Sequence, residues 1–163
     1  RGRIMLKFRP LTPQELSELE TEFKQFLVVN QLYDDEWRKL ATENPAKAQE
    51  FIDLFANIVL EKAYSQMPGL LQIGNDYITV FDFQHDVWNF LHFQWPAEEY
   101  RAEINPENWL QYIQDAWPAL TLKKGSKKSS EQKAQEVFAL ICKGATPLHH
   151  QTLQDFLQLL STP

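Results

Sequence analysis

The chain has 163 residues, 44% hydrophobic and 13% aromatic, with one cysteine and a net charge near −6. That length suits a single domain over residues 1–163 with its own core, and the lone Cys142 excludes an internal disulfide or a cysteine cage for zinc and suits a reducing compartment. The acidic balance argues against nucleic acid, which needs Lys and Arg in excess on one face, and no apolar run reaches the roughly 18 residues of a membrane span.

The start, "RGRIMLKFRPL", is basic but has no apolar run behind it, so it does not read as a signal peptide. Met5 reads as the natural start, with Arg1 to Ile4 as an expression remnant. In "LTPQELSELETEFKQFLVVN", Thr12 is placed to cap a helix, Pro13 suits its first position and Glu15 completes a capping box. Leu16, Leu19, Phe23, Phe26 and Leu27 then share one face. A short helix is predicted from Asp34 or Asp35, carrying Trp37 and Leu40. Asn44 and Pro45 start a longer one, with Ala48, Phe51, Ile52, Phe55, Ile58 and Val59 as its stripe, and Pro68-Gly69 stops it. Residues 11 to 66 hold eleven acids and five bases. That excess is expected to be a solvated outer face over a buried stripe, with an acidic docking surface as the sharper alternative.

The period changes in "LLQIGNDYITVFDFQHDVWNFLHFQW", which is rich in β-branched and aromatic residues and holds two turn signals. It predicts a three-stranded antiparallel meander over about 70–73, 77–83 and 88–94. Two-residue turns at Asn75-Asp76 and His85-Asp86 place Ile73 opposite Ile78, Leu71 opposite Val80, Phe83 opposite Trp88, Phe81 opposite Phe90, Val80 opposite Leu91 and Ile78 opposite Phe93. Alternation then divides the sheet. Leu71, Ile73, Ile78, Val80, Leu91 and Phe93 make an aliphatic face. Leu70, Gln72, Tyr77, Thr79, Phe81, Phe83, Trp88, Phe90, His92 and Gln94 make an aromatic one. The helix over 45–66 is expected to cover the aliphatic face. The aromatic face is expected to take C-terminal helices, a partner or second subunit, or a small ligand, because four exposed rings would be a large patch for a monomer.

Helices resume over 105–161. Asn105 and Pro106 start one with Trp109, Leu110, Ile113 and Trp117 on its face. "LTLKKGSKKSSEQK" reads as a flexible basic link. A helix from about 130 carries Val137, Phe138 and Ile141, and Gly144 suits a left-handed cap. Thr146-Pro147 is expected to start the last helix, with Leu148, Leu153, Phe156, Leu157 and Leu160. Helices, meander, helices is an α+β order.

Signs of chemistry are sparse. Asp82, His85, Asp86 and His92 are types that ligate zinc, iron or manganese. Strand rise puts His92 roughly 20 Å from the turn tip, so a solvated turn is the better reading. His149 and His150 read as an exposed helix start, and Cys142 as a buried structural thiol. "GSKKSS" resembles part of a phosphate loop but lacks the earlier glycine and the strand before it. No catalytic residue, cofactor or metal site is assigned.

Three blocks, "LTPQELSELETEFKQFLVVN", "EWRKLATENPAKAQEFIDLFANIVLEK" and "KKGSKKSSEQKAQEVFALICKGA", together resemble a small uncharacterised bacterial family, a domain of unknown function, over nearly the whole chain from Leu11. The resemblance implies a cytoplasmic bacterial origin and carries over no catalytic residue. The expectation is a non-enzymatic interaction or adaptor domain that meets a protein partner or a second copy of itself, with no nucleic acid and no membrane. Its candidate face is Tyr77, Phe81, Phe83, Trp88, Phe90 and His92. The alternative is a small-ligand or metal-dependent enzyme with a pocket beside His92 and Tyr77.

Overall fold

The structure is a computed structural model that describes residues 5–96 and 103–161. Arg1 to Ile4, read above as a remnant, lie outside the described residues. The chain divides into two compact units, Arg1–Ala63 and Tyr64–Pro163.

The first unit is helical. Thr12 caps α1 (Pro13–Glu18) as its sequence predicts. Thr12 Oγ1 accepts from the Glu15 amide at 3.0 Å, and Glu15 Oε1 accepts from the Thr12 amide at 2.9 Å. The expected single helix is broken at Leu19, whose ψ of 21° leaves the helical region, and α2 follows (Glu20–Val29). Then come α3 (Asp34–Glu43) and α4 (Pro45–Ser65), the latter with Asn44 Oδ1 accepting from the Lys47 amide. Phe23, Phe26, Trp37 and Phe55 form an aromatic cluster, with Phe55 centred 5.0 Å from Phe23 and 5.4 Å from Phe26. The buried line of α4 runs through Ala48, Phe55, Ala56 and Leu60, and Ile58, expected inside, is exposed. Asn57 is buried too. Its side chain donates to the Met5 carbonyl and accepts from the Lys7 amide, tying residues 5–7 to α4 and satisfying both polar groups of the buried amide.

The second unit is built on a sheet. Strands β1 (Gly69–Ile73), β2 (Tyr77–Asp82) and β3 (Val87–Gln94) form the predicted meander, in the predicted register. Ile73 opposes Ile78, Leu71 opposes Val80, Val80 opposes Leu91 and Phe81 opposes Phe90. The sheet has five strands rather than three. The basic segment is not a flexible link but strand β4 (Thr121–Lys128), antiparallel to β3. Thr146-Pro147 does not start a helix; with Leu148 it forms β5 (Thr146–Leu148), paired with β1. The order is β4-β3-β2-β1-β5, with all four pairings antiparallel.

Helices α5 (Trp109–Ala116), α6 (Lys133–Cys142) and α7 (His150–Ser161) complete the unit. Asn105 caps only a turn, through the amides of Glu107 and Asn108, and the helix proper starts at Trp109. The aliphatic face of the sheet carries the core, and α5 and α7 cover it, not the helix expected over 45–66. Leu71, Ile78, Val80, Leu91 and Phe93 pack with Trp95, Trp109, Ile113, Leu148, Leu153 and Phe156. Trp109 lies 5.3 Å and Phe93 5.9 Å, centre to centre, from the Phe156 ring. Both covering helices are strongly amphipathic, which lets each bury one stripe and leave the other face wet. Trp117, expected on the buried face of α5, is 47% exposed in the short turn that follows. Gly144 takes φ 103° after α6, the left-handed conformation its position calls for. No helix among the described residues is long and apolar enough to cross a membrane.

Candidate functional site

The other face of the sheet holds the aromatic residues. Their alternation along β2 and β3 puts Phe81 and Phe90 opposite one another, and Phe83 and Trp88 one step further toward the turn. The rings meet edge to face. Phe83 and Trp88 are 4.9 Å apart at 68°, and Phe81 and Phe90 are 5.6 Å apart at 74°. That geometry brings the positive edge of one ring to the negative face of the next.

Helix α6 lies over these rings. Glu136, Ala139 and Leu140 line an open cleft of about 290 Å³ with Phe81, Phe83, Trp88 and Phe90. Burial is graded across it. Phe83 and Trp88 are buried, whereas Phe81 and Phe90 are half-buried. Tyr64, at the end of α4, stacks on Phe138 of α6 at 5.8 Å. The face is therefore covered from within the chain in part, and what stays open is the apolar cleft between Leu140 and the two half-buried rings.

Cations rim the cleft. β4 pairs with β3 so that Lys127 stands opposite Trp88, while Lys123, opposite His92, lies further along the same face, beyond the cleft. Lys127 Nζ sits 5.4 Å from the Trp88 ring centre and 2.8 Å from Glu136 Oε1. Lys133 Nζ sits 5.4 Å from the Phe83 ring centre. Partial burial lowers the pKa of Lys133, since desolvation disfavours its charged form. The Lys127 ammonium, and then the Ser130 hydroxyl, hold the Glu136 carboxyl below its usual range. These groups fix α6 to the edge of the sheet; they do not converge on a point where a reacting atom would sit.

Of the six candidate residues, four line this cleft. Tyr77 and His92 do not join them. They lie toward the far end of β2 and β3, Tyr77 roughly 20 Å and His92 roughly 13 Å from Phe83 at strand rise. There the Tyr77 ring stacks on His92 at 5.2 Å, and Thr79 Oγ1 lies 2.8 Å from His92 Nδ1. Asp82, His85 and Asp86 stay at the opposite turn, and no group of three or more His, Cys, Asp or Glu side chains gathers among the described residues. Cys142 is exposed rather than buried, because α6 turns Ala134 and Val137 inward and its last turn outward.

Sequence reasoning missed Lys127 and Lys133 as part of the site. β4 is an edge strand, nearly all exposed, with Lys123, Lys124, Lys127 and Lys128 among its eight residues. Only the spacing of Thr121 and Leu122 hinted at a strand, and lysine and glycine have low strand propensity. The arrangement offers apolar contact, cation–π contact and, among the described residues, a sheet edge with no further strand on it, all of which are means of binding.

Neither the curated proteins nor the solved structures contain a match to the chain. A family model does match, over residues 5–161, and the chain belongs to that family, described as a family of unknown function (DUF6495).

Proposed function

We propose that the chain is a non-enzymatic protein-interaction module that receives an extended acidic segment of a partner protein. The segment adds to the sheet along β4, and one of its apolar side chains enters the cleft between Phe81, Phe90 and Leu140. The observation that carries this is the position of β4: eight residues long, at the open edge, basic, and next to an apolar cleft on the same sheet. An exposed edge presents unpaired amide and carbonyl groups, which a partner strand satisfies. Its lysines discourage pairing with neutral or basic strands and favour an acidic one. Lys123 and Lys128 form no ion pair among the described residues and remain available to it.

Nucleic acid fits less well. Stacking of bases needs a row of open rings, and here Phe83 and Trp88 are buried with α6 over them. A cytoplasmic bacterial setting belongs to the same proposal, supported by the single exposed cysteine and by the family resemblance of the helical blocks.

The test is fluorescence anisotropy of a labelled peptide with alternating Glu and Phe or Val residues. Saturable binding that weakens with salt is expected. The double variant Lys123→Glu, Lys128→Glu should weaken it about tenfold at low salt, the sum of two reversed rim charges. Absence of binding, or binding unchanged by the reversal, would overturn the proposal. A dimer in light scattering that the same double variant dissociates would assign the edge to a second copy of the chain instead.

A further inference from the structure

The opposite face of the same sheet holds a second cavity, near the β2–β3 turn, of about 340 Å³. Its walls include Leu91 of β3 and Leu157 and Leu160 of α7, and its polar groups include Asp82, Asn89 and Lys124. Asp82 is only 4% exposed. An isolated buried carboxylate is costly, and it is kept where something pairs with it. Asp82 Oδ1 accepts from the Gln84 amide at 3.0 Å and from Gln84 Nε2 at 3.2 Å. Gln84 is held in turn by Gln154 of α7, whose Nε2 donates to its Oε1 at 3.1 Å. Oδ2 meets no donor among the described residues, and no ion pair forms between Asp82 and Lys124. A carboxylate oriented from two elements, with one oxygen left over, is a preorganised acceptor.

The register sets the second charge. Asp82, Asn89 and Ser126 form one row across β2, β3 and β4, and Lys124 stands on the same face beside Leu91. Lys124 is thus two strands across and two residues along from Asp82, about 12 Å between Cα atoms by sheet spacing and rise. Once the two side chains extend toward each other, the gap between their charged ends matches a small molecule carrying an ammonium and a carboxylate. The leucines between and above them match an apolar side group.

We infer that this cavity binds a small zwitterion with an apolar side chain, of the chemical class of the branched or aromatic α-amino acids. Its ammonium donates to Asp82 Oδ2 and to the Asn89 side-chain carbonyl. Its carboxylate pairs with Lys124, and its side chain lies against Leu157 and Leu160. The site is on the other face of the sheet from the aromatic cleft and does not depend on what that cleft binds.

The experiment is a backbone-amide NMR titration of the full chain with L-leucine, alongside isoamylamine, which lacks the carboxylate, and 4-methylpentanoate, which lacks the ammonium. Leucine should shift the amides of Asn89, Lys124 and Leu157 saturably, with a dissociation constant near 1 mM or tighter, about what a ligand of this size allows. Each single-charge analogue should bind about tenfold more weakly, having lost one charge-assisted contact. Asp82→Asn should weaken leucine and the amine by a similar factor and leave the acid unchanged. Lys124→Met should do the reverse. Should Asp82→Asn disturb the fold, Leu160→Trp, which fills the cavity from α7, should abolish the shifts with Asp82 intact. No saturable shift up to about 20 mM, a range that covers weak small-ligand binding, would overturn the assignment. So would equal binding of leucine and isoamylamine, or leucine binding unaffected by Leu160→Trp.

Discussion

Replacing Gly69 by alanine tests how the sheet of the second unit is put together. Gly69 opens β1 and pairs with Asp82 on one side and Leu148 on the other, so it sits where three strands meet. Its φ is not positive, and alanine suits the backbone conformation. The difficulty is space. An added Cβ would overlap the Phe81 carbonyl oxygen and lie 2.9 Å from Leu153 Cδ2. Leu153 can move, being a side chain on α7, but Phe81 is backbone of the next strand and yields only if β1 and β2 separate. Overpacking of this kind costs about 1–3 kcal/mol. The gain from a stiffer unfolded chain is about 0.4–1 kcal/mol. The clash wins, and a net loss of about 1–2 kcal/mol is expected, or about 2–8 °C in midpoint for a chain of this size. Differential scanning calorimetry with urea denaturation reads both. An unchanged or raised midpoint would refute the close approach of β1 and β2.

Two other outcomes concern the helical unit. The Arg9 guanidinium, at 2.8 Å, and the Thr12 amide hold the pKa of Glu15 down to about 2 from an ordinary 4.5. A carboxyl depressed on folding stabilises above its unfolded pKa and loses that effect as pH falls toward its folded one. The difference in urea stability between wild type and Glu15→Gln should therefore hold above pH 4.5 and vanish as pH falls toward 2. It should not exceed about 1 kcal/mol, because the pair is half-exposed and screened; a difference that grows on acidification would contradict the pairing. Phe55→Ala removes a ring that is 3% exposed between Phe23 and Phe26, and should cost about 3–5 kcal/mol in chemical denaturation. A loss under about 1 kcal/mol would show that the aromatic cluster does not hold the unit together.

The meander was legible because two independent signals agreed. Strict alternation set the faces, and the short turns set the register, so Phe81 falls opposite Phe90 as the residues alone require. Even Phe83 and Trp88, just past the ladder, meet at 4.9 Å. The outer strands were not legible. β4 spends its composition on lysines that protect an edge, and β5 contains Pro147, which edge strands tolerate and helix starts favour. Which helix covers which face was also beyond the sequence. α4 and α7 are both amphipathic, and periodicity says that a stripe is buried without saying against what. The same limit applied to the site. Its four central rings followed from strand alternation, whereas the cover from α6 and the lysine rim depend on pairings between segments more than 30 residues apart. Tyr77 and His92 share a face with the rings, but a shared face is not a shared place along the strand.

Amide hydrogen exchange reads directly whether β4 is, as proposed, an open edge that accepts a strand. In the free chain, the outward-pointing amides of residues 121–128 should exchange fast, while those bonded to β3 exchange slowly. With the alternating Glu–Phe peptide at saturation, the outward amides should become protected and the Phe81 and Phe90 ring signals should shift. Outward amides already protected in the free chain, or left unprotected by a saturating peptide, would contradict the account.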